Sequence, residues 1–404
     1  MSTSLLYHAW GVRGYRLVHT RFEKSRVLFG IEHEAPSVRC SHCGSTRGQK
    51  SGKVLRRFRT LPVGSRPVIL ELPIQRFRCF DCGKACQVKL GFADERRSYT
   101  LAFERYVLEL SRFATIQDIA RHLDVSWDIV RDIQKRHLVR KYARPRLKDL
   151  QHIAIDEISI GKGHRYLTVV LDLDSGRVVF VGEGKGADSL AVFWKRLRAS
   201  HARVVAVATD MSPAYIQAVA ENLPRATHVF DRFHVVKLFN DKLSQLRREV
   251  QREAETMLQK KVLKGTRWLL LKHPDHLDPK RKERQRLEDA LRLNQPLAMA
   301  YYLKEDLRQL WEQDGHHQAA TFLNDWIARA RSSGVRMLQQ FAETLVLHRR
   351  GLLNWYHCPI STGPLEGTNT KIKLMQRQAY GYRDMEFFRL KIYAIHKTTY
   401  AIVG

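Results

Sequence analysis

Four cysteines in two tight pairs constrain this chain more than any other feature. Cys40-Ser-His-Cys43 and Cys79-Phe-Asp-Cys82 are each followed by glycine and are separated by thirty-five residues. Two cysteines three apart on a tight turn present both thiolates to one ion, and the glycine lets the backbone curl around it. Between the pairs, Arg56–Thr60 and Val68–Arg78 alternate in the manner of strands around Pro62, Gly64 and Pro67. The pattern predicts two knuckles joined by a hairpin, a zinc ribbon over residues 37–95 behind an N-terminal arm at 1–36. Cys40, Cys43, Cys79 and Cys82 would close a zinc tetrahedron and leave no open position, which makes the Zn²⁺ structural. A redox pair is the competing reading, and it suits one such pair better than two with matching glycines. His42, inside the first knuckle, is the alternative ligand. Cys86 and Cys358 stand at no ligand spacing and read as buried thiols.

Charge indicates the partner. Seventy Lys and Arg against 41 Asp and Glu give 404 residues a formal charge of +29. Such a surface repels itself, and a polyanion relieves the repulsion. Nucleic acid is the polyanion indicated, because every phosphate neutralised by Lys or Arg releases a condensed counterion. A hydrophobic share of 44% excludes wholesale disorder. No apolar run approaches the roughly 18–20 residues that span a bilayer, and the first thirty residues lack a signal peptide's apolar region. No membrane partner is expected, and a cytoplasmic chain is.

From Ser98 the apolar period changes to 3.6, and one helix marked by Phe103, Val107 and Leu110 is expected to end near Phe113. Thr115–Leu123 and Ser126–Arg136 then form two short helices around a turn at Asp124–Val125, with Thr115 and Ser126 as N-caps. Ile119, Ala120, Leu123 and Val125 would meet Ile129, Val130 and Ile133. This is a helix-turn-helix, placed at residues 96–145. Ser126 opens the second helix, and Trp127, Arg131, Gln134 and Lys135 fall outside its apolar face, where they suit base-edge and phosphate contacts. Arg144 and Arg146 flank Pro145 in a basic linker to the next domain.

His152–Asp156 reads as a short strand ending in a carboxylate. Tyr166–Leu173 and Arg177–Val181 follow as a hairpin around Asp174-Ser-Gly176. A helix at Ser189–Arg198, a strand ending at Asp210, a helix at Pro213–Asn222 and a strand ending at Asp231 complete the run. That order is the order of an RNase H-like α/β core, its first part at 150–237. Its first and fourth strands lie side by side, which brings Asp156 and Asp210 together. Two adjacent carboxylates repel unless cations neutralise them. Two Mg²⁺ ions, with Mn²⁺ as a substitute, would do so and serve phosphodiester chemistry. A third acid is expected on a helix from Pro364 to about Ala379, where Glu366, Asn369, Thr370, Lys373 and Arg377 share one face. The final helices of the core lie within 351–404. Asp210 and Glu366 have 155 residues between them, and the interval 238–350 is helical in pattern and basic, an all-helical insertion. Within it Trp268 reads either as a core residue or as a platform for an unpaired base.

Taken together, these motifs resemble the DDE transposases of the ISL-three insertion-sequence family. The resemblance rests on the paired knuckles, the helix-turn-helix, Ile155-Asp156-Glu157, Thr209-Asp210-Met211, Asp231-Arg-Phe-His234, Leu365-Glu366-Gly-Thr-Asn369 and Ala379-Tyr-Gly-Tyr-Arg383. It implies a bacterial, nucleoid-associated enzyme that binds terminal inverted repeats in double-stranded DNA. Such an enzyme cuts and joins strands with two metal ions and acts on transposon ends and target as a dimer or higher oligomer. It implies Asp156, Asp210 and Glu366 as the triad, with Asp231 and His234 as auxiliary residues; Asp231 is the rival for the second acid. The alternative function is a non-enzymatic DNA-binding regulator with a degenerate core.

Overall fold

The structure is a computed structural model and describes residues 4–34, 39–161, 163–254, 262–264 and 266–396. The start of the N-terminal arm, the first residues of the ribbon and part of the helical interval therefore lie outside the described residues. The chain divides into two compact units, Met1–Ala143 with Met375–Gly404, and Arg144–Leu374.

The first unit is built on a five-stranded sheet. A short helix α1 (Leu5–Trp10) precedes β1 (Tyr15–Phe22) and β2 (Val27–His33), followed by the long strands β3 (Gly48–Val63) and β4 (Arg66–Cys79) and the short β5 (Ala85–Gln87). The strand order is β1-β2-β4-β3, with β5 on β4. The expected hairpin is present and much longer than its alternating segments, because pairing continues from Thr60↔Val68 out to Gly48↔Cys79 and delivers both knuckles to one end. The segment read as an arm is instead part of this sheet: β2 runs parallel to β4 from Val27↔Val68 to Gly30↔Glu71. The physical reason is burial. Five successive residues of β2 are buried, and Trp10, Tyr15, Phe29 and Ile31 share a core with Phe58, Leu70 and Leu72.

Helices α2 (Leu101–Leu110), α3 (Ile116–Leu123) and α4 (Trp127–Tyr142) follow. The caps are as expected: the Thr115 hydroxyl accepts from the Asp118 N–H at 3.1 Å and the Ser126 hydroxyl from the Ile129 N–H at 3.4 Å. Asp124 closes α3 in the left-handed region, φ 49°, which gives the sharp turn between the two helices. The last described helix of the chain, Met385–Ala394, packs in this unit, with Phe387, Leu390 and Ala394 in one core with Ile119, Leu123, Val130 and Ile133.

The second unit holds the other sheet. It comprises β6 (His152–Gly161), β7 (Arg165–Asp172), β8 (Arg177–Glu183), β9 (Ala206–Thr209) and β10 (Thr227–Phe230), in the order β10-β9-β6-β7-β8. The first three strands are antiparallel, whereas β9 and β10 run parallel to β6. Helices α5 (Ala191–Ser200) and α6 (Pro213–Asn222) cover one face, where Phe193, Trp194, Tyr215 and Val219 pack on Ile153, Ile155 and Val207. Side chains alternate along a strand, so Ala154 and Asp156 belong to the opposite face.

From Arg232 to Leu353 the described residues contain helices and no strand. They are α7 (Arg232–Glu253), α8 (Arg267–Leu271), α9 (Glu283–Arg292), α10 (Gln295–Arg308), α11 (His316–Ser332) and α12 (Arg336–Leu353). Their core centres on Phe239, Trp326 and Phe341, whose rings meet edge to face at centroid distances of 4.8–6.1 Å. Helix α13 (Gly363–Gln378) then carries Glu366.

Candidate functional site

Strand register aligns three aspartates. Ala154 on β6 is paired with Ala208 on β9, and Thr209 on β9 with Phe230 on β10. Two residues past the first pair stand Asp156 and Asp210, and one past the second stand Asp210 and Asp231. The Asp231 N–H donates to the Thr209 carbonyl at 3.0 Å, so the ladder continues to the carboxylates. Asp156 does not end its strand as expected. The strand runs on to Gly161, because β7 keeps pairing with it from Asp156↔Val169 through Gly161↔Arg165 after β9 has stopped.

Asp156 is half-buried, and burial lifts its carboxyl to about 6, with Asp210 and Glu157 pushing the same way and the Glu157 N–H and His234 opposing. Its Oδ2 accepts from Asn369 Nδ2 at 2.9 Å, which ties α13 to the central strand. Asn369 is buried, and its Oδ1 has no hydrogen-bond partner among the described residues. Asp210 Oδ1 accepts from the Ser212 N–H at 2.9 Å, just ahead of α6.

Asp231 is almost wholly buried. Its Oδ1 accepts from the Thr362 N–H at 3.3 Å and its Oδ2 lies 3.1 Å from His234 Nδ1. Burial, the largest influence, pushes Asp231 up, but the bonds from His234 and Thr362 outweigh it and hold the carboxyl below its ordinary value. The same bond raises His234, against burial and with help from Asp156 and Asp210. Asp231, His234 and Glu366 each place a ligand atom within 4.8 Å of the others. The five acidic and imidazole groups named from the sequence are thus linked through shared hydrogen bonds, ligand-atom proximity and charge. Thr362 escaped the sequence reading, since its contribution to Asp231 is a backbone N–H, which any residue type carries. Lys373 and Arg377 are exposed on α13, whereas Asn369 turns inward from the stripe they were expected to share.

The helix-turn-helix residues divide. Trp127 is exposed at the start of α4, with the Arg131 guanidinium 5.2 Å from its ring centroid. Arg131 is also engaged with Asp128 and Asp132. Gln134 is a correction: it is 1% exposed and donates to Ser111 Oγ at 2.8 Å, so it braces α4 against the end of α2 and has no free edge for a base. Lys135 pairs with Asp384 and Glu386 at 2.8 and 2.7 Å, which commits it to the C-terminal segment. Arg144 and Arg146 are exposed, the latter 3.6 Å from Asp149. Trp268 is 65% exposed and lies under Arg267, which excludes the core reading.

At the other end of the first unit, Cys40, Cys43, Cys79 and Cys82 place their sulfurs within 4.8 Å of one another. Cys40 and Cys82 are 3.6 Å apart and Cys43 and Cys79 3.5 Å. Bonds from the knuckle amides, Cys43 first and His42 next, pull the Cys40 thiol down to about 6. Four converging thiols with thiolate-stabilising turns fit a structural Zn²⁺. His42 is not part of the converging set.

A zinc ribbon, a helix-turn-helix and a carboxylate cluster on a mixed α/β unit define a DNA-binding enzyme class that includes mobile-element proteins. Comparison with known proteins identifies the family. A family described as transposase matches residues 153–392, the helix-turn-helix domain of transposase family ISL3 matches 88–138, and the zinc-finger of the transposases IS204/IS1001/IS1096/IS1165 matches 36–82. The transposase for insertion sequence element IS1001 of Bordetella parapertussis is 33% identical over 396 residues, 95% of either chain. The transposase for IS1557 of Mycobacterium tuberculosis (strain CDC 1551 / Oshkosh) is 29% identical over 89% of this chain and 86% of its own. A solved Drosophila P element transposase strand transfer complex aligns with 76% of this chain and 94% of its own, at 11% identity and a TM-score of 0.37. The chain belongs to the ISL3 family of transposases. The reading as a non-enzymatic regulator is not favoured. No helix among the described residues is long and apolar enough to cross a membrane.

Proposed function

We propose that this transposase is a DDE enzyme that binds the terminal inverted repeats of its insertion sequence, cleaves DNA there and joins the freed 3′-hydroxyl to target DNA. Asp156, Asp210 and Glu366 form its triad. The observation that carries this reading is the register of β6 and β9, which sets Asp156 beside Asp210 while Asn369, one turn along α13 from Glu366, bonds to Asp156. The strand order of three antiparallel strands plus two parallel ones is that of an RNase H-like core, and the helices from Arg232 to Leu353 lie between its last strand and α13 as an insertion.

The carboxylate oxygens of the triad suit hard divalent cations. The raised Asp156 carboxyl and the unpaired Asn369 Oδ1 are what a cation and its bound water would satisfy. Two Mg²⁺ ions, or Mn²⁺ in their place, would activate the attacking oxygen and stabilise the leaving one. Asp156 and Asp210 would hold them jointly and Glu366 would complete one shell. Asp231, itself fixed by Thr362, orients His234 toward the cluster. Lys373 and Arg377 offer charge to the DNA backbone, as do Arg144 and Arg146. Ser126, Trp127 and Arg131 open the recognition helix, and Trp268 supplies a stacking platform for an unpaired base. Two ends meet in one complex, so the working form on DNA is at least a dimer, acting at the bacterial nucleoid.

Asp156→Asn tests the proposal. With a duplex carrying the element's end and Mg²⁺ or Mn²⁺, strand cleavage should fall by about 100- to 1,000-fold, an electrostatic loss of the size seen when one key stabilising group is removed. End binding, measured by gel shift, should stay within about twofold. Cleavage at the wild-type rate by the variant would remove Asp156 from the mechanism. Binding without cleavage by the wild type under any divalent metal would restore the regulator.

A further inference from the structure

The zinc-binding end of the first unit holds a fifth thiol. Cys86 lies on β5 opposite Phe77 of β4. Its thiol donates to Cys40 Sγ across 3.8 Å, and it packs half-buried against the cluster of Cys40, Phe77 and Cys79. With Zn–S bonds near 2.3 Å, adjacent sulfurs of a tetrahedral site stand about 3.8 Å apart. Cys86 is therefore one tetrahedral edge away from Cys40, and outside the four sulfurs that converge on each other. Spacing in the sequence hid this: only the β4–β5 pairing folds residue 86 back onto the knuckles.

The chain path gives the arrangement a direction. Cys79 ends β4, Cys82 lies in the connecting turn and Cys86 is on β5, so one hairpin carries three thiols. Cys40 and Cys43 come from the separate first knuckle, closed by its own Gly44 N–H to Cys40 carbonyl bond.

We propose that Cys86 is a reserve ligand of the zinc site. At rest its S–H donates to the Cys40 thiolate. When Cys40 is lost from the ion, Cys86 releases its proton to solvent and coordinates in its place, while Cys40 takes up a proton as it leaves. Four thiolates remain on the ion throughout and no oxidant is involved. The ion then keeps Cys43 of the first knuckle and takes its other three ligands, Cys79, Cys82 and Cys86, from the β4–β5 hairpin.

The test uses the full-length zinc-loaded protein and a chromophoric chelator. Zinc per chain and the rate of zinc transfer are measured for wild type, Cys86→Ser, Cys40→Ser and the Cys40→Ser/Cys86→Ser double variant. Cys40→Ser should keep about one zinc per chain, and the double variant should surrender it at least about tenfold faster, the usual scale for groups supporting a metal. With Co²⁺ replacing zinc, Cys40→Ser should retain the thiolate-to-cobalt absorbance of a four-sulfur site and the double variant should lose part of it. Equal transfer rates and equal cobalt spectra for Cys40→Ser and the double variant would overturn the proposal. If Cys40→Ser does not fold, Cys86→Ser alone decides: several-fold faster zinc loss than wild type supports it, and an unchanged rate overturns it. None of these readouts depends on DNA cleavage, so the zinc proposal and the catalytic one fail separately.

Discussion

Asn369 shows how a single side chain couples a helix to a strand. One amide hydrogen bond to Asp156 both orients the carboxylate and fixes the turn of α13 that presents Glu366. Asn369→Ala should lower cleavage by about 10- to 100-fold, as supporting residues of a metal site do, with end binding unchanged; an unaltered rate of nicking would deny it a positioning role. A second residue sets a pH dependence of stability. Lys391 is 2% exposed, and burial brings its ammonium down to about 7. In the unfolded chain lysine keeps its proton to about pH 10.4. Between about pH 7 and 10 the unfolded state therefore binds more protons, and stability rises with pH. Below about pH 7 both states are charged and the cost of the buried ammonium is complete. Denaturant unfolding at pH 7 and 9.5 should show the wild type gaining stability and Lys391→Met gaining less. An identical gain in both would show that Lys391 titrates normally.

At the scale of elements, helix α4 is the instructive case. Its polar positions look equivalent on a helical wheel, yet of those expected to meet DNA only Ser126 and Trp127, at the N-terminal turn, are exposed. Gln134 braces α2 and Lys135 is held by the C-terminal segment. Trp127→Ala should weaken binding to the terminal repeat by about 1–3 kcal/mol if the residue reads or stacks on DNA. Gln134→Ala should leave affinity per folded molecule unchanged and lower stability by about 1–3 kcal/mol, because Ser111 loses a buried partner. Titration of labelled repeat DNA and thermal melts separate the two, and a specificity change in the Gln134 variant would contradict the assignment. Packing of α12 on β10 makes a comparable demand. A Cβ at Gly351 would lie 2.4 Å from the Phe230 ring, directly before Asp231. Gly351→Ala should cost about 1–3 kcal/mol from overpacking and displace Asp231, so that cleavage falls more than end binding.

For the whole molecule, the division into two units predicts two unfolding events. The zinc site belongs to the first unit and the carboxylate cluster to the second. Zinc removal by a chelator should lower the melting of the first transition, since structural zinc binding is folding free energy, and leave the second within experimental scatter. Calorimetry checks this; a joint shift of both would mean that the units fold as one. The charge of +29 belongs to this scale as well. End binding should weaken steeply with salt, about tenfold or more between 50 and 200 mM, because phosphate contacts release counterions.

The amino-acid pattern alone determined what local chemistry dictates. Cysteine spacing encodes the knuckles, and Thr115 and Ser126 encode the caps of the helix-turn-helix. The acids at 156, 210, 231 and 366 are recognisable as candidate ligands, because turns, caps and ligand types act over a few residues. Tertiary structure decided the pairings between distant segments. It added β2 to the ribbon sheet, packed Met385–Ala394 on α4, closed off Gln134, exposed Trp268 and brought Cys86 to the zinc ligands. Those outcomes depend on which apolar faces cover one another, and burial of that kind is non-directional and blind to separation along the chain.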